Sequence, residues 1–220
     1  MSESKMLRSL VDAHRLPIDP DGLSESLGSA ISEEKADLHA GRTRNTEIRI
    51  ERVWKRLFPE RSRGELERIA LEYELAVNPV WPMPGCRRCI EYLGRLQMTL
   101  GLVSNAQFYT PLLFHALLGA DPIGLGFTPG ICLYSYVHGI AKPDPSLFEI
   151  AAARLSRMGI RREETLMVGN DLINDIEPAM RTGFLAVLFG GELPGSPVRP
   201  TARISRLGDL KELIEGAPRP

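Results

Sequence analysis

Four side chains that could do chemistry crowd one short stretch: Asn170, Asp171, Asn174 and Asp175. They follow an apolar run, Thr165 to Val168, that reads as a buried strand ending at Gly169. In an open α/β sheet, ligands bind beyond the carboxyl ends of the strands, so this cluster stands where a site would be. Asp171 with Asn170 offers oxygen ligands suited to Mg²⁺, a hard cation that prefers carboxylates and keeps several waters. Asp175 lies one helical turn further on and could orient a neighbouring cation or the waters of a metal. Two upstream stretches add partners. Ser104-Asn105 ends another apolar run, where a hydroxyl and backbone N–H groups suit an anionic oxygen. Lys142 lies in Gly139-Ile140-Ala141-Lys142-Pro143-Asp144-Pro145, a turn stiffened by two prolines, and can hold a point charge over a phosphoryl group. Each residue also has an ordinary use. Asn and Asp favour turns and helix caps, Ser104 could be a plain N-cap, and most lysines are solvated.

These residues work together only if the chain folds them onto one edge. From Met98 the pattern alternates strand and helix. Strands are expected at Met98–Val103, Ile131–Tyr134, Thr165–Val168, Leu185–Phe189 and Ala202–Ile204. Helices are expected at Phe108–Leu118, Pro145–Met158, Ile176–Thr182 and Leu207–Ile214. Near-continuous apolar strands separated by helices imply a parallel sheet covered on both faces. Right-handed crossovers then bring all strand C-termini to one rim. Ser104, Asn105, Lys142 and Asp171 should converge there.

Residues 1 to 80 read as four amphipathic helices. The first runs from Ser4 to His14, and a second capped by Asp21 stops at Gly41. A third runs from Thr46 to Phe58, and a fourth from Ser62 to Val77, with Ser62 and Glu65 as a capping box. The third opens with Thr-Glu-Ile-Arg-Ile, which alternates like a strand, but Trp54 and Leu57 continue the helical period. Such helices in antiparallel order form a small bundle. Asn78 to Gly85, rich in proline, marks a junction between domains 1–80 and 81–220. Cys86 and Cys89 lack the second pair a metal would need, so two small buried residues on the helix Cys86–Leu96 are expected. Trp54 and Trp81 could line a cleft, though packing is the commoner use.

A net charge of −1 gives no reason to expect a nucleic-acid partner. No apolar run approaches the roughly 20 residues that span a bilayer, and the N-terminus lacks a signal-peptide core. Three cysteines, an odd number, suit a reducing compartment. A cytoplasmic protein without membrane contact is expected, of open oligomeric state.

Ser104-Asn105-Ala106, Lys142-Pro143-Asp144-Pro145 and Gly169 to Ile176 resemble, in order, the second, third and fourth motifs of the haloacid dehalogenase-like (HAD) hydrolases. The resemblance covers residues 78 to about 205 closely. It implies a three-layer, Rossmann-like α/β fold with a parallel sheet, the first 80 residues being a helical cap. It implies phosphate-ester hydrolysis of a small phosphorylated substrate through an aspartyl-phosphate, with Mg²⁺. Ser104 and Asn105 would bind the phosphoryl group, Lys142 would neutralise charge beside it, Asp175 would support Lys142, and Asp171 with Asn170 would sit at the metal. Asn170 departs from the acidic residue more common there. A haloacid dehalogenase needs no metal, so the acidic Gly169-Asn170-Asp171 segment argues against that activity.

The family's first motif, an aspartate nucleophile at the end of the central first strand, has no counterpart in these residues. Asp19-Pro20-Asp21-Gly22 comes nearest but lies between two helices and reads as a turn. The central strand is therefore expected to be absent, between the strands ending at Ser104 and Val168. Those strands then pair directly, leave a split sheet, or are joined by another chain, and Mg²⁺ is held weakly or not at all. Either the sequence starts late and the natural protein is a phosphatase, or it has shed its nucleophile and serves as a phosphate or partner binder.

Overall fold

The computed structural model describes residues 2–39, 46–190 and 197–216. The chain divides into two compact units, Met1–Trp81 and Pro82–Pro220, inside the proline-rich stretch 78–85.

The first unit holds α1 (Glu3–His14), α2 (Leu23–His39), α3 (Ile50–Leu57) and α4 (Arg63–Val77). α1 packs on α4, α4 on α3 and α3 on α2. Leu7, Leu10 and Val11 of α1 are buried, as are Val53 and Trp54 of α3 and Leu66 and Ile69 of α4. Trp54 is fully buried, edge-on to Tyr73 with ring centroids 5.4 Å apart, so it packs a core. Glu34 of α2 is buried too, gripped by Arg52 and Arg56 one turn apart on α3.

Two expected boundaries move. Thr46 to Arg49 is not helical and α3 starts at Ile50, because the β-branched alternation of Thr46, Ile48 and Ile50 outweighs the helical period. Asp19, not Asp21, caps the turn before α2: its Oδ1 accepts the Asp21 N–H at 3.0 Å. The expected stop at Gly41 lies outside the described residues.

The capping box at α4 is formed. Ser62 Oγ accepts the Glu65 N–H, and Glu65 Oε2 accepts the Ser62 N–H at 3.0 Å. The Ser62 hydroxyl, then its N–H, then Arg61 pull the Glu65 carboxyl down to about 2. A carboxyl depressed by folding stabilises the fold above its unfolded value, and that contribution is lost as pH falls toward 2. Ser62→Ala should cost about 1 kcal/mol. Urea unfolding followed by helical ellipticity would show it, and the gap to wild type should narrow between pH 4 and pH 2.

The second unit runs α5 (Cys86–Arg95), β1 (Leu100–Ser104), α6 (Thr110–Leu118), β2 (Phe127–Tyr134), α7 (Ser135–His138), α8 (Ser146–Arg157), β3 (Leu166–Gly169), α9 (Glu177–Arg181), β4 (Leu185–Phe189), β5 (Ala202–Ile204) and α10 (Asp209–Gly216). All strand pairs are parallel. Among the described residues they form two sheets, β1-β2 and β3-β4-β5. Among the described residues β1 and β3 do not pair with each other.

Two apolar clusters cover opposite faces. Met167, Ala186 and Leu188 belong to one, together with Leu133 of β2 and Phe148 of α8. Leu166, Val168 and Val187 belong to the other, with Leu210 of α10. Successive residues of β3 and β4 thus point to opposite layers, as their period of two requires. The ladder between β1 and β2 is irregular between Leu100 and Leu102, where a Cβ on Gly101 would come within 2.6 Å of Ile131 Cγ2.

The expectation of fully buried strands is corrected at β1 and β3. Neither has a buried residue, whereas β4 has three. Each borders the break and has a strand on one side alone. Cys86 and Cys89 are half-buried rather than buried, and burial pushes both thiols up. Trp81 is 73 % exposed, so packing is not its use.

Candidate active site

β1 and β3 lie in separate sheets, and Lys142 joins their ends through Val103 and Asp175. Lys142 is held by its backbone. Its N–H donates to Asn105 Oδ1 at 2.7 Å, and its carbonyl accepts from Asn105 Nδ2 at 3.0 Å. A side-chain amide is the group that can both give and accept in this way. The Lys142 ammonium then donates to the Val103 carbonyl at 3.1 Å and pairs closely with Asp175 Oδ1. The two side chains are 9 % and 8 % exposed.

Asp175 reaches this position through an irregular helical start. Asp171 caps it: Oδ1 accepts the N–H groups of Ile173 and Asn174, both at 2.9 Å, and Oδ2 accepts Asn174 Nδ2 at 2.7 Å. The next five residues, Leu172–Ile176, form a π-helical turn, a wide turn often found at functional sites. The Asp171 N–H donates to Asp175 Oδ2 at 3.1 Å. Asn105, Lys142, Asp175 and Asp171 therefore form one hydrogen-bonded chain. The Asn174 N–H is the main cause holding the Asp171 carboxyl below the ordinary aspartate range, with Lys142 a minor one.

Ser104 sits between Val103 and Asn105, both bonded to Lys142, so it belongs to the same rim. Among the described residues its one hydrogen bond is long, 3.4 Å to the Asn105 carbonyl, which leaves the hydroxyl available. Asn170 is exposed, and its side chain makes no hydrogen bond among the described residues. All six expected residues thus gather at one edge, in two groups tied through Lys142. One local expectation is corrected. Ser104 is not a helix N-cap, because residues 105–109 intervene before α6, whose N-cap is Tyr109. Asn105 is turned to Lys142 instead.

Three contributors went unread in the sequence. The Val103 carbonyl shares the ammonium. Ser135, fully buried at the start of α7, accepts the Ala106 N–H at 2.8 Å and ties the loop after β1 to the end of β2. At Gly169 a Cβ would lie within 2.6 Å of Asp175 Cγ, so the missing side chain makes room for the carboxylate. A glycine inside a strand signals such a close approach, and this one could have been found. The open groove of about 810 Å³ beside α5 and α6, lined by Met83, Cys86, Arg87 and Leu118 among others, includes none of the six.

The donor set matches part of a Mg²⁺ shell. A carboxylate has about four lone-pair directions, and Asp171 already uses three. Oδ2 keeps one, and Asn170 adds an amide oxygen. No group of three or more His, Cys, Asp or Glu able to hold a metal occurs among the described residues.

Over 121 residues the chain is 35 % identical to a phosphoserine phosphatase of Thermus thermophilus, a stretch covering 54 % of this chain and 45 % of that protein. The chain thus spans less than half of that relative. A 2-haloacid dehalogenase from Pseudomonas syringae pv. tomato has the same fold at 21 % identity, with TM-score 0.62 over 97 % of this chain and 90 % of that one. So does a HAD phosphatase from Thermococcus onnurineus, at 20 % identity and TM-score 0.63, over 97 % and 88 %. The sequence model of the haloacid dehalogenase-like hydrolases matches residues 10–183, and with that match over most of its length the chain belongs to this family.

Proposed function

We propose that the rim forms the phosphate-binding half of a phosphatase-type active site for a small phosphorylated substrate. The chain Asn105–Lys142–Asp175–Asp171 carries the reading. It fixes one ammonium at the strand ends, next in the chain to Ser104, whose hydroxyl makes one long hydrogen bond, and such donors suit a phosphoryl oxygen. The partial match to a phosphoserine phosphatase supports the same chemistry.

In this reading Ser104 donates to the phosphoryl group and the Asn105 N–H assists. Lys142 neutralises charge, and Asp175 keeps the ammonium in place. Asp171 Oδ2 and Asn170 would hold Mg²⁺, which when bound supplies further charge neutralisation. The helical unit acts as the cap that selects the substrate. The setting is the cytoplasm, supported by three free cysteines, and among the described residues no helix is long and apolar enough to cross a membrane.

The attacking carboxylate is not assigned to these residues. Asp171 and Asp175 are the carboxylates of the network, and both are committed, to helix N–H groups and to Lys142. That commitment favours a second reading for the 220 residues taken alone, a phosphate binder without turnover. The chain should therefore hydrolyse p-nitrophenyl phosphate with Mg²⁺ no faster than its Asp171→Ala variant. Robust Mg²⁺-dependent turnover, lost in that variant, would mean that a nucleophile lies within the chain.

A further inference from the structure

α5 opens on two thiols that the rim does not use. Cys86 is its first residue and Cys89 its fourth, and both are half-buried. Three residues along an α-helix is nearly one turn, so the two Cα atoms lie about 5 Å apart. That falls inside the span a disulfide bridges, roughly 4.4 to 6.8 Å. The Cβ atoms of such a pair start about 5–6 Å apart and must close to about 3.8 Å. The movement falls on Cys86, where the helix begins. Gly85 precedes it with φ 81°, and a helix end frays more easily than its middle.

The two sulfurs already sense each other. Burial pushes both thiols up, and the charge of Cys86 adds to the rise at Cys89. Their settings differ. Cys86 lines the open groove beside α5 and α6, together with Arg87 and Arg88. Cys89 packs on the apolar cluster of Val187, Ile204 and Leu210. One thiol is thus reached from solvent, and the other is set against the core. Arg87 is paired with Glu91, whereas Arg88 is exposed, and cations at an open groove draw an anionic reagent.

We propose that Cys86 and Cys89 form a reversible disulfide site that exchanges with a small anionic disulfide of the glutathione class. Cys86, as thiolate, attacks one sulfur of the small disulfide. The S–S bond breaks, a mixed disulfide forms on Cys86, and the departing thiolate takes up the proton that Cys86 lost. Cys89, as thiolate, then attacks the Cys86 sulfur and expels the second small thiol, which takes up the proton of Cys89. Two protein thiols are oxidised to one disulfide, and one small disulfide is reduced to two thiols. The thiolate is the attacking form, and burial keeps it scarce at neutral pH, so exchange is slow. The pair is a modification site rather than a turnover centre. A reducing compartment keeps such a pair as thiols and lets it oxidise transiently. The site shares no residue with the rim and does not rest on the phosphatase reading.

The test uses the full 220-residue chain and oxidised glutathione. Remaining thiols are then blocked with iodoacetamide in denaturant and located by mass spectrometry. The chain should lose two hydrogens, with Cys86 and Cys89 closed to the blocking reagent and Cys132 open to it, and dithiothreitol should reverse the change. Cys89→Ser should stop at one glutathione held on Cys86. At a fixed ratio of reduced to oxidised glutathione, urea should lower the disulfide-to-dithiol ratio by about tenfold or more, because unfolding removes the helix that holds the sulfurs together. That readout follows the fold and not the spacing in sequence alone. Both thiols still open to iodoacetamide at saturating oxidised glutathione would overturn the proposal. So would glutathione that accumulates on the wild-type chain without ring closure, a disulfide that includes Cys132, or a disulfide-to-dithiol ratio equal in water and urea.

Discussion

Lys142→Met is expected to destabilise the second unit by about 3–5 kcal/mol, the range for leaving one member of a buried ion pair without its partner. The ammonium sits between the Val103 carbonyl and Asp175, whose side chain is 8 % exposed. Methionine fills similar volume but leaves the carboxylate with one donor, the Asp171 N–H. Domains are stable by about 5–15 kcal/mol, so the loss is a large share of the total. Adding Asp175→Leu removes the stranded charge and should recover about half of it. Full recovery is not expected, because the Asp171 N–H then loses its acceptor at about 1–3 kcal/mol. Urea unfolding of the single and double variants reads both values. A loss under about 1 kcal/mol for Lys142→Met would mean that the pair is solvated and does not organise the rim.

Gly169→Ala should cost about 2–4 kcal/mol, although it adds one methyl group. The new Cβ meets the Asp175 side chain at its root, not at a flexible tip, so backbone must move. The π-helical turn carrying Asp175 would shift outward and break both the Asp171 N–H bond and the Lys142 pair. Gly169→Ala and Lys142→Met therefore damage the same contact. Combined, they should cost less than the sum by at least about 1 kcal/mol, as neighbouring sites that share partners do. Strict additivity in urea unfolding would separate Gly169 from the Lys142 pair.

Much of this arrangement was legible beforehand because it follows from chain order. Apolar strands alternating with helices force parallel pairing within each sheet, and the Lys142 bonds to Val103 and Asp175 join the ends of the two sheets. The capping box at Ser62 was equally plain, since it needs only local residues. What escaped depends on contacts between distant residues. The side-chain amide of Asn105 is spent on the Lys142 backbone, 37 residues away. Gly169 and Ser135 matter through what packs against them, and no periodicity reports that. The start of α3 went wrong where two periods overlapped at Thr46 to Ile50. The half-buried state of β1 and β3 could not be read from their own apolar residues. It follows from each being paired on one side alone among the described residues.

Titration of the 220-residue chain with inorganic phosphate, followed by amide chemical shifts, tests most directly whether the rim is one anion site. The amides of Ser104, Asn105, Lys142 and Asp171 are predicted to shift together along a single saturating curve. Ser104→Ala should weaken that binding by about tenfold, the loss of one hydrogen bond to a charged oxygen. Shifts confined to other surfaces, such as Arg87 and Arg88 beside α5, or no saturable shift at the four rim residues, would contradict it.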